Sequence, residues 1–150
     1  MSNWAVELFG ERVETKEGVK DTAAVVSGKK LIGIYFSAHW CPPCRGFTPV
    51  LAEFYDQLKE EEGNEDSLEI IFVSSDHDQS AFDEYYGSMP WTSVPFGSDK
   101  ASVLGQKFGV RGIPTFVVLD ADGNTVDREG RSTVASTKGN TSVALKKWIH

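Results

Sequence analysis

Residues Leu31–Ser37 read Leu-Ile-Gly-Ile-Tyr-Phe-Ser, an apolar run of strand length with no polar alternation. A strand of this kind must be covered on both faces, because an open face would leave half of it against water. Directly after it the pattern changes. Trp40-Cys41-Pro42-Pro43-Cys44 leads into Phe47, Val50, Leu51, Phe54 and Leu58. These lie at i, i+3, i+4, i+7 and i+11, the spacing of an amphipathic helix. A strand buried on both sides that runs into a long helix calls for a sheet covered by helices.

The remainder fits that frame. Leu68–Ser74 is a second buried strand around Ile70, Ile71, Phe72 and Val73. Ser80–Tyr86 reads as a helix stopped by Gly87 and Pro90, and Lys100–Phe108 as another, capped by Asp99 or Ser98. Thr115–Asp120 is a third strand, and Asp122-Gly123 is a hairpin turn into Thr125–Asp127. Thr141–Ile149 closes the chain as a helix capped by Thr141. Near the start, Trp4–Glu14 suggests a short edge hairpin around Gly10. Asp21–Ser27 suggests a helix with Asp21 as N-cap and Gly28 past its end. The first two buried strands need a crossover helix and so run parallel; the last two form an antiparallel hairpin. The expected architecture is an α/β three-layer sandwich. A central mixed sheet carries helices on both faces and an extra N-terminal hairpin, with residues 1–150 as a single domain.

Charge narrows the function classes. Over 150 residues, 15 Lys+Arg oppose 22 Asp+Glu, a net −7. That balance argues against nucleic acid as a partner, which calls for a basic stripe to displace counterions. No apolar run approaches the roughly 18–20 residues of a membrane span, so no membrane partner is expected. Met1–Gly10 holds no Lys or Arg and lacks the basic start of a secretory leader. With only two cysteines, the expectation is a monomer of a reducing compartment: the cytoplasm, with the nucleus as a second location.

The chemistry concentrates at Cys41 and Cys44. A cysteine at a helix start meets unpaired N–H groups and the positive end of the helix dipole, both of which favour a thiolate. The thiolate is the attacking species in disulfide exchange. Cys41 is therefore the candidate nucleophile and Cys44, one turn on, the resolving thiol. Pro42 and Pro43 have no N–H to leave unpaired and preset φ for the first helical turn. A purely structural disulfide would close a tiny loop, worth about 2 kcal/mol against about 3 for fifteen residues. A zinc site needs four ligands. One cysteine pair is present, and His39, His77 and His150 show no ligand spacing. No metal is expected. No Gly-rich dinucleotide fingerprint appears either, so no cofactor is expected beyond the redox-active Cys41–Cys44 pair itself.

Strand, Trp-Cys-x-x-Cys, helix, then Ile113-Pro114-Thr115 before a hairpin resembles the thioredoxin superfamily, and Pro49 matches its helix-kinking proline. The segment Tyr35–Arg45 is similar to the nucleoredoxin/tryparedoxin branch. So are Phe72–Asp76, Tyr85–Trp91 with Val94–Phe96, Phe108–Thr115 and Arg128–Arg131. The resemblance covers roughly residues 31–131. It implies a thioredoxin-like fold and a cis bond before Pro114. The Ile113 backbone would face the cysteines there, placed to pair with an extended substrate. Trp40, Pro42, Pro43, Ile113 and Pro114 are then the candidate substrate-binding residues.

The implied activity is reduction of disulfide-bearing proteins, with electrons from an upstream reductase or a low-molecular-weight dithiol. The alternative is a redox-sensitive module that holds partner proteins with little turnover. Ordinary thioredoxins carry a buried Asp six residues before the first cysteine. Tyr35 stands there, which leaves Asp76, His39 or a water to activate Cys44. Tryparedoxins have Trp and Glu where this chain has Ser75 and His77, so the resemblance does not by itself imply their glutathionyl-polyamine substrate.

Other residues have two readings. Trp40 is a flat wall for substrate or simple packing. Trp91 packs over the helices or touches substrate. His39 is an exposed polar loop residue or does proton work. Arg45 tunes Cys41 or is solvated. Arg128 and Arg131 hold an acidic group or are strand-end charges facing solvent. Phe82, Tyr85 and Tyr86 are read as core packing.

Overall fold

The computed structural model describes residues 4–97, 99–138 and 140–149. Its elements in chain order are α1 (Trp4–Phe9), β1 (Arg12–Thr15), β2 (Gly18–Asp21), α2 (Thr22–Val26), β3 (Leu31–Ser37), α3 (Pro42–Glu60), β4 (Leu68–Ser74), α4 (Gln79–Tyr86), β5 (Thr92–Ser93), α5 (Lys100–Lys107), β6 (Thr115–Asp120), β7 (Thr125–Asp127), α6 (Gly130–Ser136) and α7 (Thr141–Trp148). Among the described residues, seven strands form one sheet in the order β2-β1-β5-β4-β3-β6-β7. β3 is central, parallel to β4 and antiparallel to β6, which in turn pairs antiparallel with β7.

Alternation along β3 divides two cores. Leu31 and Tyr35 point to one face and pack with Phe47, Leu51 and Phe54 of α3, Phe82 of α4, Val134 of α6 and Trp148 of α7. Ile32, Ile34 and Phe36 point to the other, with Phe9 of α1 and Leu104 of α5. The register keeps like with like: Ile34 sits between Ile71 and Val117, and Tyr35 between Phe72 and Phe116. This is the expected mixed sheet with helices on both faces. Pro49 lies inside α3, where a proline costs roughly 3 kcal/mol. Burial of Phe47, Leu51, Phe54 and Leu58, at roughly 1.5–3 kcal/mol each, outweighs it.

The N-terminal expectation needs correction. A hairpin exists, but it is β1 and β2, pairing Arg12 with Asp21 and Thr15 with Gly18. Trp4–Phe9 is a helix because Ala5 and Phe9, four apart, both bury against the second core. Gly10 at φ +88 ends that helix. Val50 and Val143 leave the apolar stripes at 41% and 50% exposure. Tyr55 takes the buried place on α3, and Ala144 with Trp148 on α7.

The cap of α7 is Asn140, whose side chain accepts from the Val143 N–H; the Thr141 hydroxyl goes instead to Glu61. Asp99 occupies the N-cap of α5 without a side-chain bond. Ser98 and His150 lie outside the described residues. β5 is two residues and α6 seven, too short to carry a periodic signal.

Gly33 on β3 explains its own lack of a side chain. A Cβ there would lie 2.4 Å from the Phe116 ring. Gly33→Ala is expected to destabilise the fold by about 2 kcal/mol through overpacking. The denaturant midpoint checks this, and an unchanged midpoint would show that the Phe116 ring moves aside freely.

Candidate active site

The helix start places the cysteines. Cys41 is the N-cap of α3, with extended backbone, and its Sγ accepts the Cys44 N–H at 3.3 Å. A sulfur thus fills the role usually taken by a hydroxyl or carboxylate, satisfying one of the unpaired N–H groups of the first turn. Pro42 and Pro43 follow at the first helical positions and are exposed. Both cysteines are free, with Cys41 5% and Cys44 0% exposed. The two pack with Ala38 and the half-buried Ile113. The Ile113–Pro114 peptide is cis, as the resemblance implied. The Cys41 thiol donates to the Ile113 carbonyl at 3.7 Å. Cys41, Cys44, Ile113 and Pro114, far apart in sequence, therefore meet.

The loop before Cys41 is tied down. Trp40 is half exposed; its Nε1 donates to the Ser75 carbonyl and its ring stacks on His77 at 5.3 Å. Asp76 accepts the His39 N–H on Oδ1 and the Ser74 hydroxyl on Oδ2. The Arg45 guanidinium donates to the His39 carbonyl. These contacts give Asp76 and Arg45 a loop-holding part. His39 is half-buried rather than exposed, stacked on Tyr85 at 5.2 Å. Trp91 is buried, edge-on to Tyr35 and Tyr55, as the packing reading held.

Hydroxyls surround Cys44. Tyr35 OH lies 2.6 Å from Thr48 Oγ1, Thr48 Oγ1 2.6 Å from Tyr85 OH, and Tyr85 OH 2.5 Å from Ser37 Oγ. Burial and the adjacent Cys41 sulfur push the Cys44 thiol up to about 11, with Ser37 and the Ala38 backbone pulling the other way. Burial also raises Tyr35 and Tyr85, so both phenols stay protonated. Ser37, Thr48 and Tyr85 were missed in the sequence, where Tyr85 reads as packing. Their signal is three-dimensional: buried polar atoms that must find partners.

Two grooves share Ile113, whose carbonyl accepts from the Cys41 thiol. One of about 820 Å³ runs along Ile113 and Pro114 and is lined by Arg111, Arg128 and Arg131, with Glu129 among them. Another of about 510 Å³ lies between Trp40, Gly105 and Ile113. Arg128 donates to the Phe108 carbonyl, and Arg131 belongs to α6, with its guanidinium over the Phe47 ring; it is not a strand-end charge. Among the described residues no cluster of His, Cys, Asp and Glu is placed to hold a metal, and no helix is long and apolar enough to cross a membrane.

Residues 28–125 match the family model described as thioredoxin-like.

The chain belongs to the thioredoxin-like family.

Within it, the relatives fall in the nucleoredoxin/tryparedoxin branch. Probable nucleoredoxin 1 of Arabidopsis thaliana is 47% identical over 121 residues, covering 81% of this chain and 20% of that protein. The tryparedoxin of Trypanosoma brucei brucei is 46% identical over 107 residues, covering 70% of this chain and 72% of that protein. The solved structure of tryparedoxin from Trypanosoma brucei superposes with a TM-score of 0.81 at 37% identity, over 95% of this chain and 96% of that one. This thioredoxin-like chain thus spans about a fifth of the plant nucleoredoxin's length.

Proposed function

We propose that this chain is a dithiol–disulfide oxidoreductase that reduces protein disulfides. The Cys41 thiolate attacks one sulfur of a substrate disulfide. A Cys41–substrate bond forms, the substrate S–S bond breaks, and the first substrate thiolate leaves and takes a proton. Cys44 then loses its proton and attacks the Cys41 sulfur. The Cys41–Cys44 bond forms, and the second substrate thiolate leaves. The substrate gains two electrons and two protons, and the chain is left oxidised. A low-molecular-weight dithiol or an upstream reductase returns the electrons in a reducing compartment such as the cytoplasm. The observation that carries this reading is the Cys41 Sγ seated on the Cys44 N–H at the start of α3, with a free Cys44 thiol in contact.

Substrate chemistry follows from the flanks. Trp40 offers a fixed aromatic wall, and the arginine-lined groove beside Ile113 suits an extended segment bearing acidic residues. Arg111 lines both grooves and is exposed. With a dithiol donor, the protein should accelerate insulin reduction above the dithiol alone; no acceleration would end this reading. Arg111→Glu should lower kcat/KM for acid-flanked disulfide peptides by about fivefold at low salt, as for the loss of one surface ion pair. The effect should fade as salt screens it and should be absent for a neutral small disulfide.

A further inference from the structure

We propose that Ser37, Tyr85, Thr48 and Tyr35 form a reversible hydroxyl chain that hands a hydrogen bond to the buried Cys44 sulfur as it ionises, which makes Tyr85 a positioning residue for the resolving step. The inference rests on the dithiol reading above and assigns what assists Cys44, on whose thiol no carboxylate of the described residues acts. Asp76 is not among the groups that shift the Cys44 thiol, and its two oxygens hold His39 and Ser74.

The argument is a count of protons. Each hydroxyl has one proton to give and two lone pairs to receive with. Thr48 Oγ1 is 2.9 Å from the Cys44 carbonyl and donates to it. Thr48 must then accept from both phenols. Tyr85, having given its proton to Thr48, must accept from Ser37, and Ser37, which draws the Cys44 thiol downward, keeps only lone pairs for the S–H. The result is a ring that leaves the Cys44 sulfur and returns to the carbonyl of the same residue, with every donor used. When Cys44 loses its proton, the ring cannot stay as it is, because Ser37 would point its lone pairs at a thiolate. Rotation of each hydroxyl reverses the direction: Tyr35 gives to Thr48, Thr48 to Tyr85, Tyr85 to Ser37, and Ser37 to the sulfur.

Four protons fill four bonds, and no buried donor is orphaned in either state. Tyr35 starts the reversed chain, and it is free to do so because its second acceptor, the Cys44 carbonyl, is more distant at 3.5 Å. The chain neither gains nor loses a proton. The proton of Cys44 passes to the departing substrate thiolate, while electrons move from the Cys44 sulfur into the new S–S bond. The titratable groups facing Cys44 are Cys41 on its own element, Tyr35 from β3 and Tyr85 from α4; His39 lies behind Tyr85.

The test separates the two chemical steps with dithiobis-nitrobenzoate under single-turnover conditions. The first coloured thiolate reports attack by Cys41, and the second reports resolution by Cys44. Tyr85→Phe keeps the ring against Phe72 and removes only the hydroxyl. It should leave the first release unchanged, slow the second about tenfold near neutral pH, and raise the pH midpoint of that step by about one unit. Thr48→Val, one link further away, should slow the second release about threefold, and it carries the test if Tyr85→Phe does not fold. A second release at the wild-type rate and pH midpoint in both variants would overturn the hydroxyl chain while leaving the dithiol reading intact. A wild-type protein that releases only one thiolate would overturn both.

Discussion

Replacing Cys41 by Ser should reduce insulin reduction to the rate of the dithiol donor alone, a loss of about a thousandfold or more. A serine hydroxyl at a helix start has no base to activate it and does not stand in for a thiolate. Replacing Cys44 by Ser should have a different outcome. Attack by Cys41 still occurs, the resolving sulfur is missing, and one substrate stays bonded to Cys41 per chain. Non-reducing electrophoresis or intact mass reads that adduct, and it should disappear on adding excess dithiol. The pair of results discriminates roles that a single loss of activity would not. Turnover that survives Cys41→Ser would remove the nucleophile from the proposal. An adduct that forms on the Cys41→Ser variant instead would reverse the two roles. The geometry points to the expected order, because Cys41 retains some exposure and Cys44 has none.

The largest expected effect on stability is at Asp127. This residue ends β7, is 8% exposed, and accepts from three donors: the Glu129 N–H, the Thr133 hydroxyl and the Trp148 indole N–H. Lys147 lies 3.8 Å away. One carboxylate therefore pins both α6 and α7 to the edge of the sheet. Asp127→Ala leaves the buried indole N–H without an acceptor and should cost about 3 kcal/mol. Hydrogen exchange should show α6 and α7 opening first.

Burial alone would raise the Asp127 carboxyl, but the hydrogen bonds from Thr133, Trp148 and Glu129, with Lys147 beside it, outweigh that and hold it below the usual carboxylate range. A depressed value sets the sign. The stabilisation is fully present above the unfolded carboxyl value of about 3.9 and is lost as pH falls from there through the folded one. The stability gap between wild type and Asp127→Asn should therefore be widest near neutral pH and narrow in acid. A gap that stayed constant down to acid would show that the carboxylate charge contributes nothing.

Local patterns in the chain carried much of this protein. β3, β4, β6 and β7 match the sequence reading at both ends, because fully buried runs and an Asp-Gly turn are decided by residues adjacent in the chain. The Cys-Pro-Pro-Cys helix start is equally local, and so is the redox chemistry expected of it. The elements read differently are those whose fate depends on distant partners. Trp4–Phe9 becomes a helix because Phe9 finds a pocket beneath the sheet, and α6 forms because Asp127 and Thr133 tie it down.

The partners of Cys44 belong to the same class. Ser37 ends a strand, Thr48 sits in one helix and Tyr85 in another, and none of the three carries a catalytic pattern in its own neighbourhood. A hydrogen bond requires atoms about 3 Å apart, and only packing α3 and α4 side by side on one face of β3 brings those hydroxyls together beside Cys44. What the chain determined by itself was the reactive pair; what tertiary structure decided was the environment in which its second thiol ionises.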